Sequence, residues 1–171
     1  MNITTKIIIT DTNIITDLNT ANILDKFVEL DNVYMSDMVK RDEINSNTGN
    51  INIIKKFKTI CATSEEIDEV FKISQETHGL SPYDIINFII ARNNNAILAT
   101  GDKKLKEYSE KNGIEVIRTL KIIKIMKEKN IITPEEAINS CNALKENNNT
   151  RIPLVDINNT INEFEKDSVI C

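Results

Sequence analysis

Four acidic residues of this chain stand at positions from which they could act together, although they lie far apart along the sequence. They are Asp11, Glu43, Asp84 and Asp102. Asp11 and Asp102 each come at the end of, or just beyond, a short apolar run, a pattern that predicts a buried strand. Ligands of open α/β sheets bind beyond the carboxyl ends of the strands, where the strand order reverses. If these two strands are neighbours, Asp11 and Asp102 converge at that edge.

Carboxylates that converge in this way repel one another, which restricts the chemistry they can do. Two unit charges about 4 Å apart cost about 4 kcal/mol at an effective dielectric constant near 20. The set is tolerable if some carboxylates are protonated or if a cation neutralises them. An all-oxygen site selects hard ions, so we expect Mg²⁺ or Mn²⁺ rather than Zn²⁺. Such an ion can activate water and stabilise the leaving oxygen of a phosphodiester.

Each acid also has a structural interpretation. The segment Ser81-Pro82-Tyr83-Asp84 predicts a helix start, and Thr133-Pro134-Glu135-Glu136 repeats that pattern where nothing suggests chemistry. Asp102 could serve only as a helix cap, and Glu43 is otherwise an ordinary helix-surface residue. Asp11 is harder to explain in this way, because an ionisable group directly after a buried strand is costly. The metal hypothesis therefore depends on the set and not on any single acid.

The elements that must position these acids alternate between strand and helix up to residue 118. Strands are predicted at 6–10, 33–35, 58–62, 96–100 and 114–117, and helices over about 18–30 and at 37–46, 50–57, 64–77, 82–94 and 102–112. This alternation predicts an α/β three-layer sandwich with a central, mostly parallel sheet of 4–5 strands. Helix 82–94 is the most apolar, and we expect it to turn inward Ile85, Ile86, Phe88, Ile89 and Ile90.

Beyond residue 118 the pattern is purely helical, at about 119–129, 134–146 and 157–166. We therefore expect two parts, an α/β unit over 1–118 and a helical C-terminal extension over 119–171 packed on the same domain.

Composition limits the classes of protein that fit. The 171 residues suit one domain, and their apolar stretches are too short to span a bilayer, so no membrane partner is expected. A net charge of −5 weakens a purely electrostatic case for nucleic-acid binding but does not exclude it, since the acid cluster adds to the count. Cys61, Cys141 and Cys171 show no paired spacing, which favours reduced thiols in a cytoplasmic protein. Cys61, in an apolar stretch, is expected in the core.

The motifs around these acids resemble those of the PIN-domain nucleases, which include the VapC-type toxins. The resemblance runs from about Lys6 to Ile117. It is carried by Asp11-Thr12-Asn13 with Ile14 and Leu18, by Leu80 to Ile86, by Ala91-Arg92, and by Ile97 to Asp102 with Lys103 and Leu105. After residue 118, the segments Arg118-Thr119-Leu120, Asn130-Ile131-Ile132 and Arg151-Ile152-Pro153 resemble a PIN subgroup with a helical extension and no settled function.

The resemblance implies a metal-dependent endoribonuclease that hydrolyses RNA phosphodiester bonds, in the setting of a toxin–antitoxin pair. The catalytic, Mg²⁺- or Mn²⁺-binding roles pass by resemblance to Asp11, Glu43, Asp84 and Asp102, with Asn13 and Thr100 as supporting groups. It also implies that the first and fourth strands are neighbours, and it makes an antitoxin protein and a homodimer expected partners. Asp42 adjoins Glu43 and the local pattern admits either, but the family expects Glu followed by an aliphatic residue, here Ile44.

Basic residues supply candidates for RNA contact. Lys103 and Lys104 lie beside Asp102, and Lys121, Lys124 and Lys127 recur at every third position, so that on a helix they form one slanting stripe. The interleaved apolar residues, Ile122, Ile123, Ile125 and Met126, are expected to pack inward. Basic stripes are more often solvated faces than binding sites. Arg92 is a candidate to pair with an acid.

Two other functions stay open at this point. One is a non-catalytic α/β signalling or binding module of the receiver type, which also places Asp residues and a Thr at strand ends. The other is a PIN-like domain that lacks activity and serves protein assembly. His78 is the only histidine and no motif surrounds a Ser or Cys, so the sequence gives no support to a nucleophile–histidine site.

Overall fold

The computed structural model describes residues 6–46 and 50–169 as alternating strands and helices followed by helices alone. The strands are β1 Ile8–Thr10, β2 Val33–Ser36, β3 Lys58–Ile60, β4 Ile97–Ala99 and β5 Val116–Ile117. The helices are α1 Thr12–Thr20, α2 Leu24–Phe27, α3 Asp37–Ser46, α4 Ile51–Ile54, α5 Ser64–Glu76, α6 Pro82–Asn93, α7 Lys103–Lys111, α8 Thr119–Glu128, α9 Pro134–Glu146 and α10 Leu154–Val169.

The strands form one five-stranded sheet in the order β3-β2-β1-β4-β5, and every pairing is parallel. Ile8 pairs with Ile97 and Thr10 with Ala99, so the first and fourth strands are neighbours. The predicted α/β fold and this strand adjacency are both confirmed. Receiver domains have the order 2-1-3-4-5, so a receiver-like module does not fit this sheet.

Helices cover both faces of the sheet because successive strand residues point to opposite sides. In β1, Ile8 belongs to one core cluster and Ile9 to the other. The Ile8 side packs against α1 and the C-terminal helices, and the Ile9 side packs against α6. The five residues of α6 expected to point inward are all buried, as predicted. The molecule is therefore the expected three-layer sandwich.

The C-terminal helices share the core on the Ile8 side. Ile122, Ile123, Ile125 and Met126 of α8 are buried, as expected. α9 packs against both α1 and α10, and Ile157 and Phe164 of α10 lie in the same cluster as Ile8. The division of the chain at residue 118 stays a prediction, since one hydrophobic cluster crosses it.

Several predicted boundaries differ from the observed ones. The helix expected over about 18–30 is interrupted, because α1 ends at Thr20 and Asn22 has a positive φ of 59°, a conformation that Asn adopts more readily than most residues. The helix predicted at 50–57 is reduced to the single turn of α4.

Cys61 is exposed, so its assignment to the core was wrong. It follows β3, which lies at the edge of the sheet and is itself largely exposed. Cys171 lies outside the described residues. Within the described ranges, no helix has the length and apolar character needed to cross a membrane.

Candidate metal centre

Asp11 lies at the point where β1 gives way to α1. Its backbone N–H donates to the Ala99 carbonyl oxygen at 3.1 Å, which continues the pairing of β1 with β4 by one residue. Its side chain caps α1, with Oδ1 accepting from the Ile14 N–H at 3.0 Å. Only 3% of Asp11 is exposed, so this carboxylate is held in the interior at the carboxyl edge of the sheet.

The hydroxyl of Thr100 joins Asp11 to Asp102. Thr100 is fully buried directly after β4, and its Oγ1 donates to Oδ2 of Asp11. The same oxygen accepts from the backbone N–H of Asp102 at 3.0 Å. The Thr100 hydroxyl thus fixes Asp11 and the backbone of Asp102 relative to each other. These two bonds are a physical basis for the supporting role predicted for Thr100.

Gly101 is small enough for the loop after β4 to lie close to α1. A Cβ at this position would come within 3.2 Å of the Asn13 Cβ, tighter than ordinary contact. The side chain of Asn13 donates to Oδ2 of Asp11 at 3.4 Å. Asp102 then caps α7, with Oδ1 accepting from the Leu105 N–H at 2.8 Å.

Asp84 reaches the same edge from α6. It closes a capping box, in which its Oδ2 accepts from the Ser81 N–H at 2.7 Å and its own N–H donates to Ser81 Oγ at 3.1 Å. The loop before α6 lies against the start of α7, where Gly79 contacts the Lys104 side chain. Asp84 is therefore a helix cap, as the structural interpretation predicted, and it is also near Asp11.

The pKa of Asp11 reports this environment. Burial raises it from 3.8 to about 6, hydrogen bonds from Thr100, Ile14 and Asn13 act to lower it, and the negative charge of Asp84 raises it further. Burial disfavours the charged form because the carboxylate loses its hydration. Asp11 is thus a carboxylate whose charged form is disfavoured mainly by burial.

The second acid is not settled between its two candidates. Glu43 is only 6% exposed and lies with Val39 on the buried face of α3. Asp42 is exposed and lines a small cavity of about 160 Å³ together with Tyr83, the residue before Asp84. The structure therefore brings Asp42 toward the start of α6, whereas Glu43 is buried on α3, as Val39 is.

Among the described residues, no three His, Cys, Asp or Glu side chains form a group able to hold a metal ion. Asp11, Asp84 and Asp102 each commit a carboxylate oxygen to a backbone N–H, a contact that helix starts provide. The donor chemistry nevertheless fits a hard cation, because the groups at this edge are carboxylate and hydroxyl oxygens. Burial also raises the pKa of Asp11, so the charged form of this carboxylate has lost hydration that a bound cation could offset.

Several of the predicted RNA-binding lysines are held by acids of the same molecule. Lys124 pairs with Glu163 and Lys127 with Asp167, both on α10, while Lys103 lies 3.7 Å from Glu107. Lys121 is exposed in a groove between α8 and α10. RNA contact by these residues and by Lys104 stays a prediction. Arg92 pairs with Glu69 through two bonds of 2.7 and 2.8 Å, as the interpretation of it as an ion-pair partner expected.

Sequence reasoning missed a polar cavity of about 400 Å³ beside these acids. Asn13 and Gly101 form part of its wall, and Arg118 and Arg151 contribute from the start of α8 and from the loop before α10. Arg118 begins the basic stretch 118–129, but nothing in the spacing of Arg118 and Arg151 indicates that they line one cavity. Their proximity depends on how the C-terminal helices fold back onto α1.

The five-stranded parallel sheet with helices on both faces is the fold of a PIN-type domain. The chain belongs to the family described as "DUF3368: PIN domain", whose model matches residues 7–166. PIN domains are generally nucleases that use divalent metal ions and act on RNA. The expected membership of the PIN family is confirmed.

Among solved structures, the chain is similar to PAE2754 from Pyrobaculum aerophilum, with a TM-score of 0.51 and 16% identity. The match covers 96% of that chain and 70% of this one, so this protein has further residues beyond the shared fold. At this identity the likeness shows the fold alone. No curated protein matches the sequence.

Proposed function

We propose that this protein is a metal-dependent endoribonuclease. Asp11 and Asp102 anchor Mg²⁺ or Mn²⁺, and Asp84 and one acid of α3 complete the set. The observation that carries the proposal is the bond system of Thr100, which holds the Asp11 carboxylate and the Asp102 backbone at one strand edge.

When bound, the ion would activate water for attack on the phosphodiester and stabilise the leaving oxygen. The protein's own residues position the acids. Thr100 and Asn13 orient Asp11 through its Oδ2 atom. The capping bonds at the starts of α1 and α7 fix the directions of Oδ1 of Asp11 and Oδ1 of Asp102. The starts of α1, α6 and α7 bring partial positive charge to the acids that cap them, which offsets some of their mutual repulsion.

The biological setting that we propose follows from the resemblance to VapC-type toxins. The protein would be the toxin of a toxin–antitoxin pair, with an antitoxin protein and a second copy of itself as partners. The free thiols of Cys61 and Cys141 suit the reducing cytoplasm, which is also where RNA substrate is found.

The test is cleavage of structured and single-stranded RNA by the parent protein and by Asp11→Asn and Asp102→Asn, with Mn²⁺ or EDTA. We expect cleavage only with Mn²⁺, and a loss of more than about a hundredfold in each variant, since even groups that merely orient metal ligands contribute 10–100-fold. Asp68→Asn, on the exposed surface of α5, is the matched control. Cleavage that persists in EDTA, or equal rates in the variants, would discard the proposal.

The same assay decides the second acid. Asp42→Asn and Glu43→Gln each remove one charge, and we expect only one of them to lose Mn²⁺-dependent cleavage. Melting temperature gives a readout without RNA, because an ion that binds only the folded state stabilises it. Mn²⁺ should raise the melting temperature of the parent and leave that of Asp102→Asn unchanged.

One observation favours a second candidate, a PIN domain without activity that serves assembly. Within the described ranges the acids do not form a group able to hold a metal. This candidate predicts no cleavage and no effect of Mn²⁺ on the melting temperature.

A further inference from the structure

The cavity of about 400 Å³ beside the candidate metal centre is built from both halves of the chain. Asn13 and Gly101 come from the segments that carry Asp11 and Asp102. Asn147, Asn149 and Arg151 come from the loop that joins α9 to α10. The cavity is therefore a feature of this chain's C-terminal helices as much as of its sheet.

The lining of the cavity is positive, although the protein as a whole carries a charge of −5. Arg118 and Arg151 face one acid, Asp17, so the charged residues of the lining sum to 2 − 1 = +1. Burial raises the pKa of Asp17, and the hydrogen bond from the Thr119 hydroxyl and the charges of Arg118 and Arg151 act to lower it. Guanidinium groups present a planar set of donors that matches phosphate oxygens.

The position of the cavity links it to the reaction. Arg118 donates through Nη2 to the Gly101 carbonyl oxygen at 3.3 Å, and Gly101 immediately precedes Asp102. Arg118 is therefore bonded to a part of the cavity wall, Gly101, that is one residue along the chain from Asp102. The cavity volume falls within the range of about 300–1,000 Å³ found for small-molecule sites, which suits one nucleotide and not a duplex.

The remaining polar groups suit a base. Asn147 and Asn149 carry amides, which both donate and accept and can pair with base edges. The Asn149 N–H donates to Oδ1 of Asn147 at 3.0 Å, which gives this part of the loop a defined shape. Proteins that read RNA sequence do so mostly on unpaired bases, by hydrogen bonds of this kind and by arginine stacking.

We propose that this cavity binds the nucleotide next to the scissile phosphate of a single-stranded RNA. Arg118 and Arg151 hold its phosphate, and Asn147 and Asn149 contact its base, so that the C-terminal extension sets the sequence preference. The RNA strand continues into the groove between α8 and α10. This groove shares Arg118 with the cavity and is also lined by Lys121. The inference rests on the proposed nuclease function.

The first test measures binding without cleavage. A fluorescent single-stranded RNA hexamer of mixed sequence is titrated in EDTA with Asp102→Asn protein, which also has one fewer repelling charge. We expect Arg151→Gln to weaken binding about tenfold and to reduce the slope of log K against log salt by about 0.7, the value for one lost phosphate contact on a single strand. Arg151 is exposed, so its replacement leaves the core intact.

The matched control is Lys111→Gln, which removes one positive charge from the exposed last turn of α7, at the other end of that helix from Asp102. We expect it to change the dissociation constant less than twofold. If Arg151→Gln and Lys111→Gln bind alike, or if the hexamer does not bind at all, the inference is overturned.

A second test separates this inference from the nuclease proposal. With Mn²⁺, Asn149→Ala in the otherwise unchanged protein should redistribute cleavage among the sites of a mixed-sequence RNA. The parent could cleave RNA while Asn149→Ala keeps the same cleavage sites and Arg151→Gln binds as tightly as before. That result would reject the nucleotide site and keep the nuclease proposal. If Arg151→Gln binds more weakly but the parent does not cleave RNA, the nucleotide site is supported and the nuclease proposal is rejected.

Discussion

Asp11 is the residue at which stability and function oppose each other. It is 3% exposed, and burial together with Asp84 holds its pKa near 6, above the ordinary 3.8. A carboxyl group whose pKa is higher in the folded than in the unfolded protein stabilises the fold below the unfolded pKa. That stabilisation is lost as the pH rises through the folded pKa. At neutral pH the metal-free protein therefore carries a destabilising charge.

We predict that Asp11→Asn stabilises the metal-free protein at pH 7.5. Asn is as good a helix cap as Asp, so the Ile14 contact can be kept. The Nδ2 of Asn cannot accept the bonds that Thr100 and Asn13 donate to Oδ2 of Asp11, and this loss reduces the gain. The gain has an upper bound of about 3 kcal/mol, because the pKa rises from 3.8 to about 6 and a tenfold change in acidity corresponds to about 1.4 kcal/mol. The measurement is thermal unfolding in EDTA.

The advantage of Asp11→Asn should shrink as the pH falls from 7 toward 4, because the parent gains stability by protonating Asp11. Asp68→Asn, an exposed neutralisation on α5, should show little difference from the parent at either pH. A parent that is at least as stable as Asp11→Asn at pH 7.5 would show that the buried charge is already compensated.

At the scale of elements, α6 and α9 provide a comparison within one molecule. Each begins with a capping box that has Pro at the first helical position and an acid at the third. Asp84 closes the box of α6 and Glu136 that of α9. The two starts are locally alike, yet only the start of α6 lies beside Asp11.

We predict that Asp84→Asn and Glu136→Gln change the free energy of unfolding by less than about 1 kcal/mol each, because an amide oxygen can still accept the capping bond. Asp84→Asn should abolish Mn²⁺-dependent RNA cleavage, whereas Glu136→Gln should leave it intact. Urea unfolding and a cleavage assay on the same samples measure both effects. Cleavage by Asp84→Asn at the rate of the parent would show that Asp84 serves only as a helix cap.

At the scale of the whole molecule, the C-terminal helices are part of the core that supports the sheet. Ile157 of α10 is fully buried in the cluster that contains Ile8 of β1 and residues of α1. Val155, two residues earlier, is 61% exposed on the same helix. The extension is thus structural as well as a wall of the proposed nucleotide site.

We predict that Ile157→Ala destabilises the whole protein by about 2–5 kcal/mol, the usual range for truncating a buried Ile to Ala. Val155→Ala should change stability by less than about 0.5 kcal/mol. Chemical denaturation followed by circular dichroism should show one transition in both variants. Two separate transitions, with only one shifted by Ile157→Ala, would mean that the helices unfold independently of the sheet.

The order of elements and the parallel sheet could be predicted from the sequence, because they depend on local patterns, and local patterns also single out the candidate acids. The apolar runs of β1 and β4, the cap of α6 and the Thr100-Gly101-Asp102 motif are each read over a few residues. Cys61 shows where such local reasoning fails. Its neighbours are apolar, but its burial depends on β3 being an edge strand.

The tertiary structure alone decided which distant groups meet. The bond from Thr100 to Asp11, the pairing of Lys124 with Glu163, and the cavity shared by Arg118 and Arg151 join residues from separate elements. Local residue spacing cannot predict these contacts, because they depend on how the helices pack on the two faces of the sheet. The sequence by itself therefore determined the fold and the choice of candidate acids, and the packing of α8–α10 determined the cavity that Asn13 and Gly101 share with the C-terminal helices.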